Sequence, residues 1–90
     1  MKNKKLKENI RLSKKYFNWK MKILYRDRFR CVFCRKRNRL EVHHIQHFSE
    51  LLKLYKIKSL KKGLFCNKLW DLTNGITLCK KCHNKIHLND

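Results

Sequence analysis

Two C-x2-C pairs have the spacing most typical of metal binding in this sequence. Cys31 and Cys34 form the first pair, and Cys79 and Cys82 form the second. Thiolate sulfurs at this spacing bind Zn²⁺ tetrahedrally, and two such pairs complete a closed, structural site. Cys66 belongs to neither pair, and we expect it to pack as a small apolar residue.

The histidines predict a second metal site, one that does chemistry. His83 and His87 stand four residues apart, so a helix would place them on one face. His43 and His44 are adjacent, and in a strand they would point to opposite faces. We therefore expect a catalytic cation to be bound by three histidines, His43, His83 and His87. His44 stays free, and an imidazole that titrates near pH 7 can serve as a general base.

Short helices and two strands would position these groups. Three serines, Ser13, Ser49 and Ser59, are suitable N-caps because each precedes a run with apolar residues at helical spacing. The sequence predicts helices over residues 13–26, over 49–58 and from 59 onward, a strand over 40–45, a turn at Asn74-Gly75 before a second strand, and a final helix within 79–88.

The charge predicts a polyanionic partner, most simply nucleic acid. The formal net charge is +19, from 25 lysines and arginines against 6 acidic residues. Base composition of the genome would account for scattered lysines, but it does not explain the arginines. Guanidinium groups bind phosphate oxygens in a bidentate manner. Six of the seven arginines surround the first cysteine pair and are the candidate nucleic-acid contacts: Arg26, Arg28, Arg30, Arg35, Arg37 and Arg39.

Ninety residues make one small domain, which needs a staple such as a bound metal to be stable. We expect a basic, flexible arm over residues 1–12 and one folded domain over residues 13–90. The odd number of cysteines, and the lack of an apolar leader or a membrane-length apolar run, favour the reducing cytoplasm as the compartment. There the cysteines would hold a metal.

Three stretches together resemble the HNH nucleases, in particular the zinc-stapled branch common in bacteria and phages. They are residues 40–45 (LEVHHI), 74–79 (NGITLC) and 82–87 (CHNKIH). The lead-in over residues 25–34 is also similar, and the resemblance extends over roughly residues 19–88. It implies a small α+β fold, the ββα-metal core of the HNH or His-Me finger nucleases, with a four-cysteine structural zinc site and additional helices.

The resemblance also implies roles for single residues. The histidine that matches His44 activates water, and the position that matches His43 binds the cation. Asn74 matches the asparagine that pins the loop carrying the base. His87 matches a metal ligand, and His83 matches a ligand of the toxin nucleases that contain His-x3-His. One departure is His47, which stands where many members have proline.

These features predict a metal-dependent DNA endonuclease that hydrolyses phosphodiester bonds. We expect Zn²⁺ as the structural ion and Mg²⁺ or another divalent cation as the catalytic ion, with DNA and no membrane as partner. A single small domain leaves little room for a second, base-reading unit. Intrinsic sequence specificity should therefore be low, or a protein partner supplies it.

Two other classes compete with the enzyme. The first is a non-catalytic zinc module that binds nucleic acid and uses its histidines only structurally. A pure binder needs neither His44 nor Asn74, so their presence favours the enzyme. The second is a protein-interaction adaptor, which the large positive charge disfavours.

Overall fold

The computed structural model describes the backbone of residues 2–87 and the side chains of residues 4–85. Two helices, α1 (Lys2–Arg11) and α2 (Lys14–Arg26), precede the strands. Ser13 lies between them, and its side chain accepts a hydrogen bond from the backbone N–H of Tyr16 over 3.2 Å. This contact satisfies one of the unpaired donors at the start of α2, so the predicted N-cap is confirmed.

A two-stranded antiparallel sheet lies at the centre of the molecule. Strand β1 (Leu40–His44) pairs with β2 (Gly75–Cys79), so that the first residue of each strand lies opposite the last residue of the other. Helix α5 (Lys80–His87) follows β2 directly. Two paired strands and a following helix make the ββα arrangement, and the predicted small α+β fold is confirmed.

Four short helical segments connect the two strands. They are α3 (Phe48–Leu54), α4 (Leu60–Phe65) and two 3₁₀ helices, Asn67–Trp70 and Leu72–Asn74. Within residues 2–87 no helix combines the length and the apolar character needed to cross a membrane. The connection is therefore built from one- and two-turn elements that pack beside the sheet.

The predicted boundaries in this connection are right at Ser59 and differ in three places, one of which is that the helix predicted over residues 49–58 ends at Leu54. Ser59 caps α4 by accepting from the backbone N–H of Lys62 over 3.2 Å, as expected. In contrast, α3 begins one residue before Ser49, and its N-cap is His47. The expected turn at Asn74-Gly75 is the end of a 3₁₀ helix followed at once by β2.

Residues 2–11 form a helix, α1, that packs on the core, within the stretch over residues 1–12 that the sequence suggested as a flexible arm. Ile10 is completely buried in a core cluster that includes Phe48 and Leu69, and Leu6 packs against the same cluster. Leu6 and Ile10 stand four residues apart and share one helix face. Lysines surround this narrow stripe, which is why the composition suggested a solvated arm. Gly63 lets α4 lie close to Ile10 of α1, since a Cβ at this position would lie 2.7 Å from Cδ1 of Ile10.

Candidate active site and metal-binding residues

The four paired cysteines converge on one point. The sulfurs of Cys31, Cys34, Cys79 and Cys82 all lie within 4.8 Å of one another, and those of Cys34 and Cys79 are 3.6 Å apart. Four thiolates around a tetrahedral Zn²⁺ have sulfur–sulfur distances of about 3.8 Å, because each Zn–S bond is about 2.3 Å long. The cluster therefore fits one zinc ion.

Backbone contacts hold the two cysteine pairs together. The first pair lies in the loop between α2 and β1, and the N–H of Val32 in this loop donates to the carbonyl of Thr77 in β2 over 3.0 Å. The second pair lies where β2 passes into α5, and the N–H of Cys82 donates to the sulfur of Cys79 over 3.4 Å. Cys66 lies outside the cluster and packs against the core around Ile10.

The thiols influence one another's pKa values. Burial disfavours the Cys31 thiolate, but backbone N–H groups of Cys34, Cys79 and Phe33 outweigh it and lower the pKa of Cys31 to about 6. Hydrogen bonding to Cys79 raises the pKa of Cys82 to about 12, with burial adding to the effect. Crowded thiolates repel one another, so full deprotonation of this cluster requires a cation at its centre.

Four histidines line a second site, a cavity of about 220 Å³ beside the sheet. They are His43, His44, His47 and His83. The cavity also contains the side chains of Arg11 and Tyr16 among its lining residues. The two metal-related sites predicted from the sequence are therefore distinct, and α5 contributes a residue to each.

His43 and His83 lie close enough to share one ion. Nδ1 of His43 is 3.1 Å from Nε2 of His83. Two imidazole nitrogens bound to one metal at about 2.0–2.1 Å are about 2.9 to 3.4 Å apart, depending on the coordination angle. Glu41 lies two residues before His43 in β1, and its Oε2 is 2.7 Å from Nδ1 of His83. Because a carboxylate only accepts hydrogen bonds, Nδ1 of His83 carries the proton that Glu41 binds. Nε2 of His83 therefore carries the lone pair, and it faces His43.

His44 occupies the other face of β1 and is almost fully buried, with 8% of its surface exposed. Its ring stacks on Trp19 of α2, and its Nε2 lies 3.4 Å from the carbonyl oxygen of Leu69. Because a carbonyl only accepts, Nε2 carries the proton and Nδ1 carries the lone pair. Burial lowers the pKa of His44 to about 4, opposed by the contact with Leu69 and assisted by the charge of Arg11. The imidazole is therefore neutral at pH 7.

Asn74 holds the turn that follows His44. Its Oδ1 accepts a hydrogen bond from the backbone N–H of Gln46 over 2.7 Å, and its Nδ2 donates to the carbonyl of Gln46 over 3.4 Å. The N–H of Ile45 also donates to the backbone carbonyl of Asn74 over 2.9 Å. These three bonds fix the chain one and two residues after His44.

Arg26 contacts the protein itself. Its guanidinium makes two bonds of 2.9 Å to the carboxylate of Asp27 and donates to the carbonyls of Leu72 and Gly75 over 2.7 and 2.6 Å. The carboxylate of Asp27 also accepts from the backbone N–H of Thr77 over 3.0 Å. Arg26 and Asp27 thus tie the end of α2 to β2 and to the segment before it, and the role of Arg26 as a nucleic-acid contact stays a prediction.

The other five arginines of the cluster lie on the surface around the first cysteine pair. Arg28, Arg30, Arg35 and Arg37 line one open cavity of about 470 Å³. Arg39 lies in a separate cavity of about 490 Å³ that also contains lysine side chains from the start of α5. Both surfaces are rich in positive charge, and both adjoin the cysteine cluster.

Three residues that line the histidine cavity or contact its histidines were not identified from the sequence as site residues. Glu41 carried a usable signal, because it shares a strand face with His43. Arg11 carried none, since its position depends on how α1 packs. His47 is the N-cap of α3, and its ring centroid lies 6.0 Å from that of His43. The side chain of His87, the third expected ligand, lies outside the described residues, although its backbone ends α5.

Comparison with known proteins gives two matches. Residues 31–87 match the family described as HNH endonuclease. A protein of Acanthamoeba polyphaga mimivirus, named as a candidate homolog of the DNA mismatch repair protein MutS, is 35% identical to the chain over 85 residues. That alignment covers 88% of this chain but only 7% of the mimivirus protein. No solved structure matches the chain.

Proposed function

Because this chain belongs to the HNH endonuclease family, with 57 of its 90 residues in the matched segment, we propose that it hydrolyses phosphodiester bonds in DNA. One observation carries the proposal. The cavity that contains the neutral, oriented imidazole of His44 also contains the paired nitrogens of His43 and His83. Hydrolysis of a phosphodiester requires a general base and a bound cation close together, and one cavity holds candidates for both.

Each histidine has a defined task in this proposal. His44 accepts the proton of the attacking water at Nδ1, while the carbonyl of Leu69 holds its Nε2–H. His43 and His83, with His87, would hold a divalent cation, Mg²⁺ or another ion that imidazole accepts. When bound, the cation stabilises the negative charge that develops on the phosphate oxygens and on the leaving group. Asn74 keeps the turn after His44 in place through Gln46.

The cysteine cluster and the basic surface have supporting tasks. A zinc ion on the four cysteines would join the loop before β1 to the start of α5, and so fix the two elements that carry His43 and His83. The surface arginines Arg28, Arg30, Arg35, Arg37 and Arg39 would bind DNA phosphates. Such contacts carry no base information, so sequence specificity should be low unless a protein partner supplies it. The name of the mimivirus relative supports DNA as the substrate.

A second candidate, a zinc-stabilised module that binds nucleic acid without cleaving it, is favoured by the burial of His44. A histidine that is 8% exposed and stacked on a tryptophan also fits a purely structural role. The two functions differ in what a cation does. An enzyme needs it for turnover, whereas a binder needs none in the histidine cavity.

Nicking of supercoiled plasmid tests the proposal. We expect relaxed product with added Mg²⁺ or Mn²⁺ and none without a divalent cation. His43→Ala and His83→Ala should both abolish cleavage and weaken Mn²⁺ binding in calorimetry, while the zinc content stays unchanged. Cys66→Ser, which alters a residue outside both sites, serves as the control. Binding of DNA by a zinc-loaded, folded wild-type protein that does not nick in any of these ions would favour the second candidate.

A further inference from the structure

Arg11 is held at the histidine cavity in two ways, through its place in α1 and through its side chain. It is the last residue of α1, directly after Ile10, which is completely buried. Its guanidinium carbon lies over the ring of Phe48, 5.2 Å from the ring centroid. The Phe48 ring is itself 5 % exposed and lies 5.3 Å from the ring of His44. Arg11 and His44 thus contact one buried ring, and both line the cavity.

The guanidinium of Arg11 has N–H donors available for a ligand. A cation over an aromatic face is attracted by the ring, and this contact uses none of the hydrogen-bonding capacity of its N–H groups. Among the side chains of residues 4–85, no carboxylate forms an ion pair with Arg11. Arg26 provides the contrast, because carbonyl and carboxylate groups of the protein occupy its donors.

The chemistry of the cavity selects for an anion. Within the described residues its lining holds Arg11, four histidines and a tyrosine as polar groups, and no acidic side chain. A divalent cation bound to His43 and His83 would add two positive charges, of which Glu41, 2.7 Å from Nδ1 of His83 and outside the lining, would offset at most one. A ligand that fits must therefore bring its own negative charge, as a phosphodiester does.

We propose that Arg11 is a catalytic residue whose guanidinium binds a non-bridging oxygen of the DNA phosphodiester in the histidine cavity. The inference rests on the proposed hydrolysis and adds to it a cation that the protein itself supplies. The planar fork of arginine matches two phosphate oxygens, and the charge on those oxygens grows as water attacks. Arg11 then orients the phosphate and stabilises the transition state.

Three variants test this proposal. Arg11→Ala removes the charge, Arg11→Lys keeps the charge but not the fork, and Lys61→Ala removes a charge from the exposed surface of α4, outside the cavity. Nicking rates are measured with protein in excess over plasmid. We expect Arg11→Ala to cleave ~10²–10³-fold more slowly, as for loss of one transition-state donor. Arg11→Lys should recover part of the rate, and Lys61→Ala should cleave as the wild type does.

A second measurement is independent of turnover. The affinity for a short DNA duplex is measured by fluorescence anisotropy over a range of salt concentrations, without divalent cation. The logarithm of the association constant falls linearly with the logarithm of the salt concentration. Loss of one phosphate contact in Arg11→Ala should make this negative slope shallower by ~0.9. If the wild type cleaves, an unchanged rate for Arg11→Ala overturns the proposal whatever the slope. If the wild type does not cleave, the proposed hydrolysis fails, and the slope decides whether Arg11 contacts phosphate: a slope equal to that of wild type overturns the contact.

Discussion

The indole of Trp19 stacks on the imidazole of His44, with ring centroids 4.1 Å apart and ring planes 16° apart. This contact covers one face of the proposed base and removes it from water. Burial penalises the charged imidazolium, and this penalty is the largest cause of the low pKa of His44, about 4. A residue from α2, far from His44 in sequence, therefore contributes to the burial that keeps the proposed base neutral.

Replacing Trp19 should raise the pKa of His44. Trp19→Phe offers a smaller ring, so water reaches the imidazole and its pKa should move from about 4 toward the ordinary value of 6.5. An NMR titration of the histidine C–H resonances measures the shift. Trp70→Phe is the control, since it makes the same change of ring at a half-buried tryptophan, whose N–H donates to the carbonyl of Gly63. Equal His44 pKa values in wild type and Trp19→Phe would contradict the assigned cause.

Stability should depend on pH through His44. The folded-state pKa of about 4 lies below the ordinary value of 6.5, so the unfolded chain binds more protons between these two values. The stability that depends on neutral His44 is therefore complete above pH 6.5 and is lost as pH falls toward 4. Urea unfolding at several pH values should give a smaller loss for His44→Ala than for wild type over this window. Parallel curves for the two proteins would contradict the shift.

The Arg26–Asp27 pair should stabilise the fold. Asp27 accepts from Arg26 and from the backbone N–H of Thr77, and despite partial burial these bonds lower its pKa below 3.8. Asp27→Ala should reduce the free energy of unfolding by about 2 kcal/mol, the scale of a charged hydrogen bond, as measured in urea. Glu50→Ala, which removes an exposed carboxylate from α3, should change it little. An equal effect of both substitutions would show that Asp27 acts only through its charge.

The cysteine cluster should be required for folding. Structural zinc sites contribute roughly 10–16 kcal/mol of apparent binding free energy, whereas a core this small supplies little net stability. Cys79→Ser should lose stoichiometric zinc and the cooperative thermal transition measured by circular dichroism. Cys66→Ser, which alters a cysteine outside the cluster, should keep both. A native-like, cooperative melt of metal-free Cys79→Ser would refute the zinc requirement.

The convergence of the four paired cysteines and the closeness of His43 to His83 could be predicted because their signals are local. A C-x2-C pair can chelate from almost any turn, and convergence of two pairs follows once β1 and β2 align. Strand alternation likewise separates His43 from His44, which contact α5 and α2 respectively in the structure. These inferences needed only the spacing of residues along the chain and the periodicities of the α-helix and the β-strand.

The remaining features depend on tertiary packing and carry no local signal. Whether a guanidinium faces solvent or a carbonyl is decided by the neighbouring chain, so Arg26 could not be distinguished from the surface arginines by sequence. The packing of α1 depends on two apolar residues, Leu6 and Ile10, among many lysines. The burial that lowers the pKa of His44 could not be predicted either, because nothing in the sequence places Trp19 against His44.

The rate of plasmid nicking by His44→Ala is the most direct test of the proposed enzyme. If His44 accepts the proton from water, the variant should cleave ~10²–10⁴-fold more slowly than wild type, the usual contribution of a positioned base. Its zinc content, its DNA affinity and its Mn²⁺ affinity should stay close to wild type, because the cysteines, the basic surface and the paired nitrogens of His43 and His83 are intact. Equal nicking rates for folded, zinc-loaded wild type and His44→Ala would contradict the assignment.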